Sequence, residues 1–342
     1  MPLNENEWYI EAPWGRICII AWGDCLNPPV LLCHGSLDSA ATFRPLVAML
    51  PENFYYIAME FPGNGKSDWF PPGLMLSSYD LVYPIAVVVE HFRWQKFVYM
   101  AHSFGTIIGK LYNLSYPGKI SKVINLDPTP NLLTVPADEF SEWYHFYFSK
   151  FYEKYETLNT PKETGPIYTY QEAIDTLKKK RDLTDELAAA TLERISEPVC
   201  KHMIRFTFDQ RMKLVTRPPF SPDSLQSLFT SIPTPTLSII AEQSIDNGRY
   251  DRALFKLDEK AFPLKNYSIP TPTLSIIAEQ SIDNGRYDRA LFKLDEKAFP
   301  LKNYSIPTPT LSIIAEQSID NGRYDRALFK LDEKAFPLKN YR

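Results

Sequence analysis

Phe97-Val98-Tyr99-Met100-Ala101-His102-Ser103-Phe104-Gly105-Thr106-Ile107-Ile108-Gly109 is the stretch on which the fold turns. Phe97–Ala101 is an apolar run of strand character, and Phe104–Tyr116 has helical spacing. Between them, Ala101-His102-Ser103-Phe104-Gly105 matches the pattern G-x-S-x-G with Ala101 in the first glycine position. A strand passing directly into a helix must turn sharply, which strains the backbone at Ser103 and requires small residues two positions to either side. Ala101 adds one methyl group. The helix start behind Ser103 favours a developing negative charge through its unpaired N–H groups and its dipole. The pentapeptide alone is weak. Its place after a buried strand and before a helix makes Ser103 the candidate nucleophile.

Outward from this stretch, strands and helices alternate. Trp8–Glu11 and Arg16–Trp22 read as strands around a hairpin-like Ala12-Pro13-Trp14-Gly15, followed by Val30–Cys33, Phe54–Glu60 and Val123–Leu126. Thr42–Leu50 and Tyr79–Phe92 have helical spacing. Val30–Cys33 is wholly apolar, as expected of a strand covered on both faces. The alternation implies parallel pairing through right-handed crossovers, an α/β fold with a mostly parallel sheet and flanking helices.

From Pro128 the texture changes. Residues 129–230 are rich in Tyr, Phe, Glu and Lys, with helix-like stretches at Asp138–Tyr155, Tyr170–Lys180 and Thr184–Thr207 and no buried strand between them. They read as a helical cap over the sheet, its wall aromatic through Trp143, Tyr144, Phe146 and Phe148. The basic run Lys178–Arg181 reads as a solvated helix end.

The C-terminal third repeats. Residues 231–267 recur letter for letter at 268–304 and at 305–341, leaving 268 residues of distinct sequence in a chain of 342. Each copy joins a strand-like Thr236–Ala241 to a helix-like Tyr250–Phe262, a strand–helix unit. The expected organisation is residues 1–128 as the N-terminal part of the core, 129–230 as the cap, 231–267 as a returning core unit and 268–342 as two extra copies. Evolved solenoids have divergent repeats and altered terminal caps. Three identical copies instead point to a very recent duplication or to a gene-model error. A unit of this length suits a parallel crossover, so Thr273–Ala278 is expected to pair with Thr236–Ala241.

A second chemical element is His34-Gly35-Ser36-Leu37-Asp38, directly after strand Val30–Cys33. In such an architecture, N–H groups after a His-Gly pair and after the nucleophile converge on the substrate oxyanion. Ser36 (or Leu37) and Phe104 are the expected donors, with His34 and Gly35 shaping the loop. Gly65-Lys66-Ser67 suggests a phosphate loop, but residue 60 is Glu60 where the first glycine would stand, so nucleotide binding is rejected.

Pro13-Trp14-Gly15, Ala21-Trp22-Gly23, Pro29 through Asp38, Phe54-Tyr55-Tyr56 and His102-Ser103-Phe104-Gly105 together resemble the serine hydrolase-like proteins of the α/β-hydrolase fold. The resemblance covers residues 8–130 closely and implies hydrolysis of an ester or related acyl bond without a cofactor. A serine at 103 sets the chain apart from the branches that use an aspartate nucleophile. The resemblance also implies a triad in chain order Ser, acid, His. The five histidines are His34, His91, His102, His145 and His202, so the general-base histidine expected near the C-terminus is not identified. The chain is expected to stop before the loop that would supply it, and His202 could substitute only if the cap folded over Ser103. Asp246 is the candidate acid, with Glu242 second and Asp283 and Asp320 its repeat counterparts. Asp127 reads as a structural loop residue.

Composition fits a soluble globular protein. The net charge is −4 and 23% of residues are charged, which gives no nucleic-acid or polybasic-membrane footprint. No apolar run reaches membrane-spanning length and no signal peptide is visible at Met1–Glu11. The four cysteines form no C-x-x-C pair, so neither a disulfide scaffold nor a metal site is expected. Cys18 and Cys33 should be buried thiols. A cytoplasmic protein binding a small apolar ester is the main expectation. The alternatives are a non-catalytic protein that keeps the apolar pocket, and a misassembled gene model of an active hydrolase.

Overall fold

Val30-Leu31-Leu32-Cys33 is apolar at every position because helices cover both sides of it. In the computed structural model, Leu31 and Cys33 pack into one core layer and Val30 and Leu32 into the other. The structure describes residues 4–129, 135, 137–181, 183–221, 224–225, 227–228, 231–232 and 234–241, with the strand backbones 274–278 and 313–315.

Strands β1 (Glu5–Ala12) and β2 (Gly15–Trp22) form an antiparallel hairpin closed by Pro13-Trp14. Next come β3 (Pro29–Cys33), α1 (Arg44–Val47), β4 (Tyr55–Met59), α2 (Val82–His91), β5 (Phe97–His102), α3 (Phe104–Ser115) and β6 (Ile120–Leu126). The sheet order is β1-β2-β4-β3-β5-β6-β10-β11-β12, where β10 is Thr236–Ala241, β11 Leu274–Ala278 and β12 Ile313–Ala315. β2 meets β4 antiparallel, and every later neighbour is parallel. Ile85, Val88 and Val89 of α2 and Ile107, Ile108 and Leu111 of α3 fill one layer. Phe43, Leu46 and Val47 fill the other. The expected alternation is therefore present, with α1 shorter than the helical spacing of Thr42–Leu50 suggested.

β10 pairs with β11 from Leu237↔Leu274 to Ala241↔Ala278, the pairing expected of Thr273–Ala278. β11 pairs with β12 through Ile276↔Ile313 and Ala278↔Ala315. Register follows the repeat length, so each paired strand residue lies beside its own copy. The helix-like parts of the copies lie outside the described residues.

Between β6 and β10 the chain makes a long excursion. It contains α4 (Phe140–Tyr144), a π turn (His145–Ser149), α5 (Lys150–Glu153), α6 (Tyr155–Leu158), β7 (Ile167–Thr169), α7 (Tyr170–Arg181), α8 (Asp185–Ile195), β8 (Ser196–Cys200) and β9 (Met203–Phe206). The all-helical reading of this segment is corrected. The helix expected over Thr184–Thr207 starts at the Thr184 cap, whose hydroxyl accepts the Leu187 N–H, but it ends at Ile195. Pro198 cannot donate to a helix interior and pushes Glu197 toward extended backbone. The chain turns into β8, and a three-stranded antiparallel sheet β7-β9-β8 forms. Packed against it, Ala173, Ile174, Leu177, Ala188, Leu192, Ile195 and Phe206 make a small core of their own.

A buried ion cluster ties this excursion to the main sheet. The Arg194 side chain, 3% exposed, donates from Nε to Glu60 at 2.7 Å, from one terminal nitrogen to Glu7, and from the other to the Cys18 sulfur at 3.2 Å. Glu60, fully buried, also accepts the Ala40 N–H at 3.2 Å and the Lys66 N–H at 2.7 Å. The residue that excludes a phosphate loop is thus an anchor for three segments. Burial, with the Glu60 charge beside it, pushes the Cys18 thiol up to about 12, and burial does the same to Cys33. Both are free thiols, as are the exposed Cys25 and Cys200.

Candidate active site

Strand order fixes where chemistry can sit. After β3 the chain adds β4 on one side, then returns to place β5 on the other. The connections leaving the C-terminal ends of β3 and β5 therefore run to opposite sides, which makes this the switch point at which open α/β sheets bind their ligands. Ser103 stands there, between the end of β5 and the start of α3, with φ 47° and ψ −116°. That is a left-handed backbone for a non-glycine residue, the strain the pentapeptide implied. Its N–H donates to Leu126 O of the next strand at 3.0 Å. Its carbonyl accepts from the Thr106 N–H at 3.0 Å and the Thr106 hydroxyl at 2.6 Å. Phe104, as first residue of α3, has an N–H with no acceptor within the helix.

Two glycines allow the elements to close on Ser103. A Cβ at Gly105 would lie 2.6 Å from Cys33 O and 2.7 Å from His34 O, so α3 passes directly over the end of β3. A Cβ at Gly35 would meet His102 Nδ1 at 3.0 Å and Ser103 Cβ at 3.3 Å. The requirement for a small residue at 105 thus comes from the neighbouring strand. Leu37, in the same loop as Gly35, is itself left-handed at φ 55°.

His34 is fully buried and both ring nitrogens are occupied. The Phe61 N–H donates to Nε2 at 3.1 Å, which leaves the proton on Nδ1 to be donated to Gly35 O at 2.7 Å. Burial lowers its pKa below the usual 6.5, against the pull of the Asp38 charge. His102 is half-buried, and its Nδ1 makes no hydrogen bond among the described residues. Burial lowers its pKa too, against Asp38 and Asp127. Both histidines thus bind fewer protons folded than unfolded once the pH drops through about 6.5. Stability should fall with decreasing pH in that window, by up to about 1.4 kcal/mol per pH unit per histidine. Urea unfolding at pH 7.5, 6.5 and 5.5 checks this, and His34→Gln should remove part of the slope.

The Ser103 hydroxyl lies 3.5 Å from the Thr129 hydroxyl in the loop after β6. On the opposite side is the loop after β3, where Ser36 is exposed and Asp38 is buried. From the excursion, Arg181 donates to Leu37 O at 2.6 Å and to Asp38 Oδ1 at 3.3 Å. The basic run Lys178–Arg181 is therefore not wholly solvated: Lys178 pairs with the exposed Asp185, whereas Arg181 turns inward. The Arg217 guanidinium sits 5.7 Å above the Phe104 ring.

Of the expected site residues, the structure brings Ser103, Phe104, His34, Gly35 and Ser36 to the adjacent ends of β3 and β5. Asp246, Glu242, Asp283 and Asp320 lie outside the described residues. Asp127 follows β6 with φ 41°, its N–H donating to Ile239 O. His202 is corrected from a helix to the exposed, left-handed turn between β8 and β9. In the aromatic segment, Tyr144 stacks on Phe148 at 5.2 Å, while Trp143 contacts Tyr147 and Phe148. Tyr144 and Phe146 remain exposed. A cleft of about 700 Å³ opens elsewhere, bounded by Tyr9, Trp14, Trp69, Pro71, Asn159 and Glu197, and neither Ser103 nor those five aromatics line it. Among the described residues there is no metal-ligand cluster and no helix long and apolar enough to cross a membrane.

Sequence reasoning missed Thr129, Arg181 and Arg217. All three reach the site from loops or from the excursion, where no periodicity or spacing reports a long-range contact. A basic residue closing an otherwise polar helix gave Arg181 its solvated reading.

A family model for the alpha/beta hydrolase fold matches residues 28–190. The human serine hydrolase-like protein is 32% identical over 198 residues, which cover 58% of this chain and 94% of that one. Human serine hydrolase-like protein 2 is 32% identical over 208 residues, and the match spans 65% of its length, just under two thirds. Among solved structures, hypothetical protein PA1622 from Pseudomonas aeruginosa PAO1 superposes with a TM-score of 0.62 at 22% identity, over 72% of this chain and 85% of that one. The thioesterase domain from the curacin biosynthetic pathway gives 0.57 at 18% identity, over 72% and 88%.

Proposed function

Because this chain belongs to the serine hydrolase-like proteins of the α/β-hydrolase fold, we propose that Ser103 is its acyl-accepting nucleophile and that its reaction class is cleavage of a carboxylic ester or related acyl bond. Ser103 Oγ would bond to the carbonyl carbon, the hydroxyl proton would leave with the alcohol, and water would release the acid. The Phe104 N–H and that of Ser36 or Leu37 would hold the oxyanion. The observation that carries this reading is the left-handed Ser103 at the switch point, so close to the loop after β3 that a methyl group at Gly35 would come within 3.3 Å of its Cβ. In this reading residues 129–230 form the lid over the core of 1–128 and 231–267, with 268–342 as further copies. The ligand is a small apolar ester, which the aromatic run from Trp143 to Phe148 favours. The four free cysteines favour a cytoplasmic location.

Turnover should be poor. Both nitrogens of His34 are engaged, no histidine follows His202, and Asp246 as acid has no base to orient. Loss of a triad member leaves only the catalysis of the oxyanion hole and binding, several orders of magnitude below a complete triad. An excess of a fluorophosphonate should add its mass slowly at Ser103 and not at all in Ser103→Ala. Steady hydrolysis of p-nitrophenyl butyrate should not exceed that of the same variant. Ser103-dependent turnover would overturn the missing base and move the search to His202.

A second reading, a non-catalytic pocket for an apolar ligand, draws on one contact: Ser103 Oγ faces the Thr129 hydroxyl and not an imidazole. Failure of any mass to add at Ser103, together with a ligand-induced thermal shift, would select it.

A further inference from the structure

Arg181 is the last residue of α7, more than 140 positions from the loop it touches, and the contact is two-pronged. One terminal nitrogen donates to the backbone carbonyl of Leu37 at 2.6 Å and the other to the Asp38 carboxylate at 3.3 Å. The Arg181 side chain is 27% exposed and that of Asp38 11%, so the pair is shielded enough to hold one geometry. The carbonyl it grips belongs to a left-handed residue, Leu37 at φ 55°. A leucine in that conformation is unfavourable and persists only where its surroundings over-determine it. A methyl group at Gly35 would come within 3.3 Å of Ser103 Cβ, so the loop passes close beside Ser103 and a rotation at Leu37 would shift it there.

We propose that Arg181 is a positioning residue: by clamping Leu37 O and Asp38 it fixes the left-handed turn after β3, and so aims the Ser36 and Leu37 N–H groups at an anion formed on Ser103. The excursion thereby carries part of the oxyanion hole, and undocking α7 relaxes it. The inference rests on the reading of Ser103 as an acyl acceptor. It goes beyond that reading in making the hole depend on α7.

The test uses the full chain and an excess of a fluorophosphonate, followed by intact mass, with rate and half-saturation measured separately. Arg181→Met should slow the covalent step by about 100-fold, the cost of a misplacement of about 1 Å and the low end of the cost of losing an oxyanion donor, with half-saturation little changed. Arg181→Lys keeps the charge but cannot grip both acceptors in a fixed fork, so it should recover only part of the rate. Full recovery by lysine, or an unchanged covalent rate in Arg181→Met, would overturn the proposal. If the parent chain shows no Ser103 adduct, the acyl-acceptor reading fails on its own. Hydrogen exchange across residues 35–39 then decides the clamp: faster exchange in Arg181→Met upholds it, and equal exchange refutes it.

Discussion

Arg194→Ala should lower stability by about 3–5 kcal/mol, the cost of breaking a buried ion pair from one side. The reason is what remains. Glu60 is fully buried, and without the guanidinium its charge would rest on two backbone N–H groups alone. Arg194 is itself held charged: burial opposes its charge, but Glu60 and Glu7 more than offset this and raise its pKa. The excursion should also loosen, because Arg194 carries the contacts of α8 with Glu7 and Glu60. Urea unfolding measures the loss. Arg194→Met combined with Glu60→Gln should be far less costly than the two single changes added together, and the difference gives the coupling. Additive effects would show that the charges are not compensating each other.

Gly105→Ala should act on the site and the fold at once. The new methyl would meet the carbonyl oxygens of Cys33 and His34 at 2.6 and 2.7 Å, and backbone cannot rotate away as a side chain can. α3 must lift off the end of β3, for which overpacking costs of about 1–3 kcal/mol are the guide. The same lift carries Phe104 and Ser103 away from Gly35. A displacement of about 1 Å there should slow phosphonylation of Ser103 by about 100-fold. Tyr99 makes the shift harder to absorb, since its buried hydroxyl donates to Gly105 O at 2.8 Å. Thermal unfolding and intact-mass kinetics on one preparation separate the two effects. A normal labelling rate in a destabilised variant would mean that the close pass is architectural only.

Much of this was legible in the sequence because the residues concerned answer to local rules. Val30–Cys33 announces double burial by lacking polar positions, and Ala101–Gly105 announces a sharp strand-to-helix turn by its small residues. The hairpin around Pro13-Trp14 and the cap at Thr184 are equally local. What stayed hidden depends on distance along the chain. Nothing near Arg181 or Arg194 indicates that each crosses to a carboxylate more than a hundred positions away. The β7-β9-β8 sheet was missed because Thr184–Ile195 sets a strong helical pattern, which the eye carries on past Pro198. Glu60 was read only for what it prevents, although its burial makes it an anchor.

The order of strands has a bearing on how such a gene can change. β5, the strand that leads into Ser103, is interior, and strands after β10 are added at one rim, beyond β6. A duplication that inserts a further parallel unit there extends the rim without reordering any pair that frames Ser103. Each added unit nevertheless lengthens the chain between the stretch after β10, where the candidate acid Asp246 falls, and whatever follows the last strand, where the expected base would stand.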